Sequence, residues 1–145
     1  MIRYVDDSTH DIKNMQKHYD TDAGYDICGD ENFTLWGGES AGVITNLKVA
    51  IPVGYVGIDA PRSGLNFNKD VIAEIGIIDA SYRGYIKVKL TNLTSNKMNF
   101  KAGAKIAQMV VVPIYRGRCI EVENLDDTER GDNGFGSSDN NLKEK

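Results

Sequence analysis

Three stretches of this sequence hold residue types that could carry chemistry. Pro61-Arg62-Ser63-Gly64 gathers a guanidinium, a hydroxyl and backbone N–H groups in one turn, and these are donors for phosphate oxygens. Gly76-Ile77-Ile78-Asp79-Ala80-Ser81-Tyr82-Arg83-Gly84 closes one apolar run and opens an alternating one. Asp79 and Tyr82 are therefore expected in a hairpin connection, where an aspartate on local grounds alone is an ordinary turn-former. Arg130-Gly131-Asp132-Asn133-Gly134-Phe135-Gly136-Ser137-Ser138 combines a guanidinium and two hydroxyls with an aromatic face. Its glycines let backbone approach a ligand closely, and Phe135 can stack on a base.

Other chemistries find no footing. His10 and His18 lack a matching ligand set for zinc, and neither a GxSxG elbow nor a Walker loop is present. Cys28 and Cys119 stand far apart with no CxxC spacing, so two buried, reduced thiols are expected.

The elements that must position these residues read as strands. Leu47, Val49 and Ile51 alternate with Lys48 and Ala50, and Ile86, Val88 and Leu90 alternate with Lys87, Lys89 and Thr91. Each pattern gives a strand with one buried face. Ile106 to Ile114 is nearly all apolar and β-branched, which suits a strand buried on both faces. Cys119 to Asn124 also alternates. Turn chemistry falls at Gly37-Gly38, Pro52 to Gly54, Asn66 to Asp70 and Thr94 to Asn99. Asp11 to Tyr19 could form a turn or two of helix, and no stretch sustains the helical period with both caps. An all-β sandwich or barrel follows, with a jelly roll among the options.

Hydrophobic residues make up 41% of the 145 and charged residues 26%, as in one soluble domain. The net charge is −4, and no basic stripe exists, so nucleic acid is not expected as a partner. An acidic protein that binds a polyphosphate needs a few aimed donors and a metal ion. There is neither a long apolar run nor a signal-peptide pattern, so no membrane association and a cytoplasmic address are expected. Residues 126–145 are rich in Gly, Asp, Asn and Ser and cannot order themselves alone. The expected division is a β-domain over 1–125 and a flexible arm over 126–145.

In order, these residues resemble the trimeric dUTPase family. Its five motifs are matched by Ala23-Gly24-Tyr25-Asp26-Ile27, Pro61-Arg62-Ser63-Gly64-Leu65, Gly76 through Ile86, Lys101-Ala102-Gly103-Ala104-Lys105-Ile106-Ala107-Gln108, and Arg130 through Ser138. The chain departs from the family pattern at Ala104, where an acidic residue is usual, at Lys105 for arginine, and at Asn133 for glycine. It departs also at Ser138 for threonine, and at Asn66 where a small residue is common.

The resemblance implies a distorted jelly-roll or β-barrel subunit, all-β, in a three-fold homotrimer with shared active sites. It implies hydrolysis of dUTP to dUMP and pyrophosphate with Mg²⁺, which lowers dUTP and supplies dUMP for thymidylate synthesis. Asp79 would activate the water that attacks the α-phosphorus. Tyr82 would pack under the deoxyribose and exclude a 2′-OH. Backbone groups of Gly76, Ile77 and Ile78 would read the uracil edge, with Lys87 on the following strand also among the substrate-binding residues. Asp26 would hold the metal through water, because Mg²⁺ keeps several waters. Arg62, Ser63, Gly64 and Gln108 would hold phosphates. Arg130, Gly136, Ser137 and Ser138 would close over the γ-phosphate, with Phe135 over the uracil. A rival on the same fold, dCTP deaminase, places a catalytic glutamate at the position aligned with Lys89, and a lysine there cannot replace it. A dUTPase-like binder that regulates a partner is the other alternative, and the intact Asp79 argues against pure loss of catalysis.

Overall fold

The computed structural model describes residues 1–134. Among the described residues, eleven short strands and one short helix follow the turn residues closely. They are β1 (Arg3–Asp6), β2 (Gly24–Cys28), β3 (Phe33–Leu35), β4 (Ser40–Ile44), β5 (Leu47–Ala50) and β6 (Tyr55–Ala60). Helix α1 (Ser63–Lys69) comes next, then β7 (Val71–Ala73), β8 (Gly76–Ile78), β9 (Lys87–Asn92), β10 (Met98–Phe100) and β11 (Lys105–Pro113). Every strand pairing is antiparallel. The strands form a four-stranded sheet in the order β2-β11-β6-β8, a three-stranded sheet β4-β9-β7, and the pairs β1-β5 and β10-β3. This is the all-β, distorted jelly-roll architecture expected from the sequence.

The alternating segments behave as their period requires. Val88, Leu90 and Asn92 of β9 point inward while Lys87 and Lys89 stay outside, and Leu47 and Val49 of β5 are buried. β11 lies between β2 and β6, and its register shifts between Lys105 and Ala107. The irregularity lets the consecutive residues Ile106 and Ala107 both be buried, which strict alternation forbids. One core joins the sheets through Ile27, Leu35, Val71, Leu90, Ile106 and Met109.

Four expectations are corrected. Asn66 to Asp70 is not a turn but the body of α1, which ends where Asp70 adopts the left-handed conformation (φ 50°, ψ 38°) and its amide reaches the Asn66 carbonyl. Asp11 to Tyr19 forms no helix; its backbone lies along β2, with Met15 N–H donating to the Asp26 carbonyl at 2.8 Å and Asp26 N–H to the Gln16 carbonyl at 2.8 Å. Asn14 completes that attachment by accepting the Cys28 N–H at 2.7 Å. Cys119 to Asn124 is no strand and Cys119 is exposed, while Cys28 is buried. Alternation alone cannot hold a strand that finds no neighbouring edge, and Ile120 and Val122 remain in solvent. Finally, β8 and β9 do not pair with each other. Gly76–Gly84 therefore joins two different sheets instead of closing a hairpin.

Candidate active site

Two cavities collect the residues singled out by sequence. The first has a volume of about 480 Å³ and is lined by Asp26, Arg62, Ser63, Gly64 and Gln108. β6 delivers Pro61 and Arg62 to the rim in extended conformation (Arg62 φ −95°, ψ 132°), and α1 begins at Ser63. Gln108 of β11 fixes this corner, its Nε2 donating to the Pro61 carbonyl at 3.0 Å. Gly24 lies opposite and leaves room for the Gln108 side chain, which a Cβ there would displace. The Asp26 carboxylate is ion-paired through Oδ1 to Arg62 and through Oδ2 to Lys105, the latter at 2.6 Å. The wall thus holds two cations, a hydroxyl and a turn backbone around one nearly buried carboxylate. Such a set can exchange its internal counter-ion for an anion.

The second cavity, of about 340 Å³, is lined by Gly76, Ile77, Ile78, Asp79, Tyr82 and Lys87. β8 is the edge of its sheet, so the outward N–H and C=O groups of Gly76–Ile78 have no strand partner among the described residues. They are free to read a polar ring edge. The connection from Asp79 to Ile86 is tied at several points. Tyr82 N–H donates to the Asp79 carbonyl at 3.0 Å, and the Arg83 guanidinium donates to the carbonyls of Ala80 and Tyr82 at 2.8 and 2.6 Å. The Tyr82 hydroxyl donates to the Tyr85 carbonyl at 3.0 Å. Its ring lies so close to Gly84 that a Cβ there would clash with it.

The far end of the connection is anchored to the N-terminal strands. Tyr85 donates its hydroxyl to Asp7 Oδ2 at 2.8 Å, and Lys48 lies 3.4 Å from that carboxylate and 4.2 Å above the Tyr85 ring centre. The Tyr85 hydrogen bond, with help from Lys48, holds the Asp7 carboxyl below its usual range. Ile86 is pinned on both sides, its N–H donating to the Leu47 carbonyl at 2.8 Å and its carbonyl accepting Thr45 Oγ1 at 2.7 Å.

The two cavities share no lining residue. Arg130 lies in neither; its Nε donates to the Asn133 carbonyl at 2.9 Å on an exposed stretch. Phe135, Gly136, Ser137 and Ser138 lie outside the described residues. Sequence reasoning missed Lys105, His18 and Asp22 in the first cavity and Asp59 and Tyr85 in the second. Lys105 was visible as a retained positive charge. Asp59 was visible as one carboxylate in the apolar run Tyr55–Ala60. Lys89 is exposed and ion-paired to Glu74 at 3.0 Å.

Fold and cavities define a class: an antiparallel β-protein with one cavity rich in anion donors and another combining a carboxylate, aromatic rings and unpaired strand backbone. Comparison narrows the class. The dUTPase family model matches residues 10–139. The chain is 44% identical over 120 residues to the deoxyuridine 5'-triphosphate nucleotidohydrolase of Cutibacterium acnes, covering 81% of this chain and 79% of that protein. It is 41% identical over 119 residues to the mouse enzyme of the same name, covering 82% and 74%. The solved structure of the dUTPase of Staphylococcus bacteriophage 80alpha with dUpNHpp superposes with a TM-score of 0.88 at 30% identity, covering 95% of this chain and 98% of that one. This chain belongs to the dUTPase family.

Proposed function

We infer that the protein is a dUTP diphosphatase, hydrolysing dUTP to dUMP and pyrophosphate. The observation that carries this reading is the second cavity, which Asp79 and Tyr82 line together with Gly76–Ile78, a strand with one free edge, in a chain of this family. The uracil edge is read by that backbone, and the deoxyribose packs on Tyr82, which leaves no room for a 2′-OH. Asp79 takes a proton from a water whose oxygen bonds to the α-phosphorus. The bond from that phosphorus to the bridging oxygen breaks, and pyrophosphate leaves with its electron pair.

The triphosphate belongs to the first cavity, with Arg62, Ser63, Gly64 and Gln108. In the arrangement the family resemblance implies, a whole site joins the first cavity of one subunit to the second of another in a homotrimer. Residues 126–145 then act as an arm that brings Arg130, Phe135, Gly136, Ser137 and Ser138 over the nucleotide, and residues 1–125 form the catalytic domain.

The donor set fits Mg²⁺ carried by the substrate. Among the described residues no group of three acidic, His or Cys side chains could cage a metal, while Asp26 and Asp22 both line the phosphate cavity. Bound there, the ion would offset triphosphate charge. Asp26, already engaged by Arg62 and Lys105, would reach it only through water. Among the described residues no helix is long and apolar enough to cross a membrane. A cytoplasmic address is the setting that agrees with this activity.

Pyrophosphate release measured across dUTP, dTTP, dCTP and UTP tests the reading. Turnover of dUTP far above the other three is expected. Equal turnover of UTP, or none of dUTP, overturns it.

A further inference from the structure

The N-terminal segment reaches the second cavity through one side chain. Asp7 follows β1, and its N–H continues the β1–β5 pairing by donating to the Asn46 carbonyl at 3.0 Å. Its carboxylate accepts the Tyr85 hydroxyl at 2.8 Å. Lys48 of β5 closes the group, 3.4 Å from the same carboxylate oxygen and 4.2 Å above the Tyr85 ring centre. Tyr85 lines the cavity beside Asp79 and Tyr82, and its backbone carbonyl takes the Tyr82 hydroxyl at 3.0 Å. A chain of contacts therefore runs from Asp7 through Tyr85 to Tyr82, although Asp7 and Tyr85 are 78 positions apart in sequence.

Stability gives this group little reason to exist. Asp7, Tyr82 and Tyr85 are all exposed, and exposed polar pairs contribute little to folding. The backbone beside Tyr85 is already held, because Ile86 donates its N–H to the Leu47 carbonyl and accepts the Thr45 hydroxyl. What Asp7 and Lys48 fix is the direction of the Tyr85 ring. A phenol at an exposed wall can take any of its staggered rotamers, and an acceptor for its hydroxyl with a cation over its face selects one. The Tyr85 hydrogen bond holds the Asp7 carboxyl below its usual range, so it stays an acceptor at neutral pH.

We propose that Asp7 is a positioning residue for the sugar end of the second cavity: through the Tyr85 hydroxyl it fixes the Tyr85 ring and, next to it, the Tyr82 ring that excludes a 2′-OH. This rests on the dUTP diphosphatase reading. It makes the N-terminal segment part of how the site tells a deoxyribonucleotide from a ribonucleotide. Proton transfer stays with Asp79, so the effect falls on binding and specificity.

The test compares wild type, Asp7→Ala, Asp7→Asn, Tyr85→Phe and the double variant Asp7→Ala/Tyr85→Phe by thermal melting and by kinetics with dUTP and UTP. Asp7→Ala is expected to melt within about 3 °C of wild type. It should raise KM for dUTP about threefold to tenfold, keep kcat within a few-fold, and lower the dUTP-to-UTP ratio of kcat/KM about tenfold. Asp7→Asn keeps an acceptor for the Tyr85 hydroxyl and should stay closer to wild type in that ratio. Tyr85→Phe removes the same bond from its other end. The double variant should therefore be no worse than the worse of the two single variants.

An unchanged dUTP-to-UTP ratio in folded Asp7→Ala overturns the proposal, and so does a double variant whose loss is the product of the two single losses. If Asp7→Ala does not fold, Tyr85→Phe decides by the same ratio. Wild type that does not hydrolyse dUTP at all removes the diphosphatase reading and this proposal with it. Wild type that turns over dUTP and rejects UTP, beside variants that do so equally well, removes the proposal alone.

Discussion

The carboxylate of Asp26 on β2 is ion-paired to the guanidinium of Arg62 at the entrance to α1, and its other oxygen takes Lys105 of β11 at 2.6 Å. Three elements distant in sequence thus meet at one charge. Asp26 thereby holds both cations in place at the wall of the first cavity. It also ties β2 and the entrance to α1 to β11, an inner strand of the larger sheet.

Replacement of this carboxylate has a definite signature. Asp26→Asn leaves two cations facing each other across the cavity. The Arg62 and Lys105 side chains are 30% and 50% exposed, so the loss of stability is modest, about 1 kcal/mol. Melting in low and high salt should show a deficit that shrinks as salt screens the repulsion. Lys105→Ala should raise KM for dUTP by less than Arg62→Ala does, because Arg62 presents a fork of donors and Lys105 a single point charge.

Asp79→Asn is expected to fold and to bind a non-hydrolysable dUTP analogue, yet lose turnover by roughly 10²–10⁴-fold. Stopped-time pyrophosphate assays beside analogue titration separate the two effects. A kcat within a few-fold of wild type would remove Asp79 as the base.

Tyr82 packs over Gly84 and is tied to the Tyr85 carbonyl, so its ring holds a fixed position. Tyr82→Ala should raise UTP turnover relative to dUTP and leave the Mg²⁺ dependence nearly unchanged. Competition kinetics with both nucleotides measure that ratio directly.

Stability should depend on pH through Asp59. Its carboxyl is raised from 3.8 to about 7 by burial, so between these values the folded protein holds a proton that the unfolded chain has lost. The associated stability is complete below about pH 4, declines as pH rises toward 7, and is gone above it. Wild type should therefore lose stability relative to Asp59→Asn between pH 5 and 8, by on the order of a few kcal/mol. Urea unfolding of both proteins at matched pH checks the sign as well as the size.

A chain ending at Glu129 removes Arg130 and everything beyond it. Among the described residues regular structure ends at Pro113, and residues 114–133 are exposed, so the shortened protein should keep its melting temperature and oligomeric state. It should lose most of kcat while retaining part of its nucleotide affinity, since ordering an arm costs about 1–2 kcal/mol per residue and only ligand contacts offset it. Size-exclusion, melting and pyrophosphate release on the same sample test each part.

The sequence by itself determined the local periodicities and the chemical inventory. Alternation placed Leu47 and Val49, and Val88 and Leu90, on buried faces, because a strand's side-chain period is a property of its own backbone. The types and order of residues around Asp26, Arg62, Asp79 and Gln108 marked the family. Tertiary structure decided what depends on partners far along the chain. Residues 119–124 alternate as a strand does but find no edge, and Asn66 to Asp70 looks like a turn yet belongs to a helix stopped by Asp70. Lys105 became part of the first cavity only when β11 was laid against β2. That Gly76–Gly84 spans two sheets came from β8 pairing with β6 while β9 pairs with β4 and β7. Asp59 shows the reason most clearly: its burial, its unpartnered oxygen and its raised protonation range all follow from lying opposite Gly76 and Met109, and register between strands so distant in sequence is fixed by packing, which no local pattern encodes.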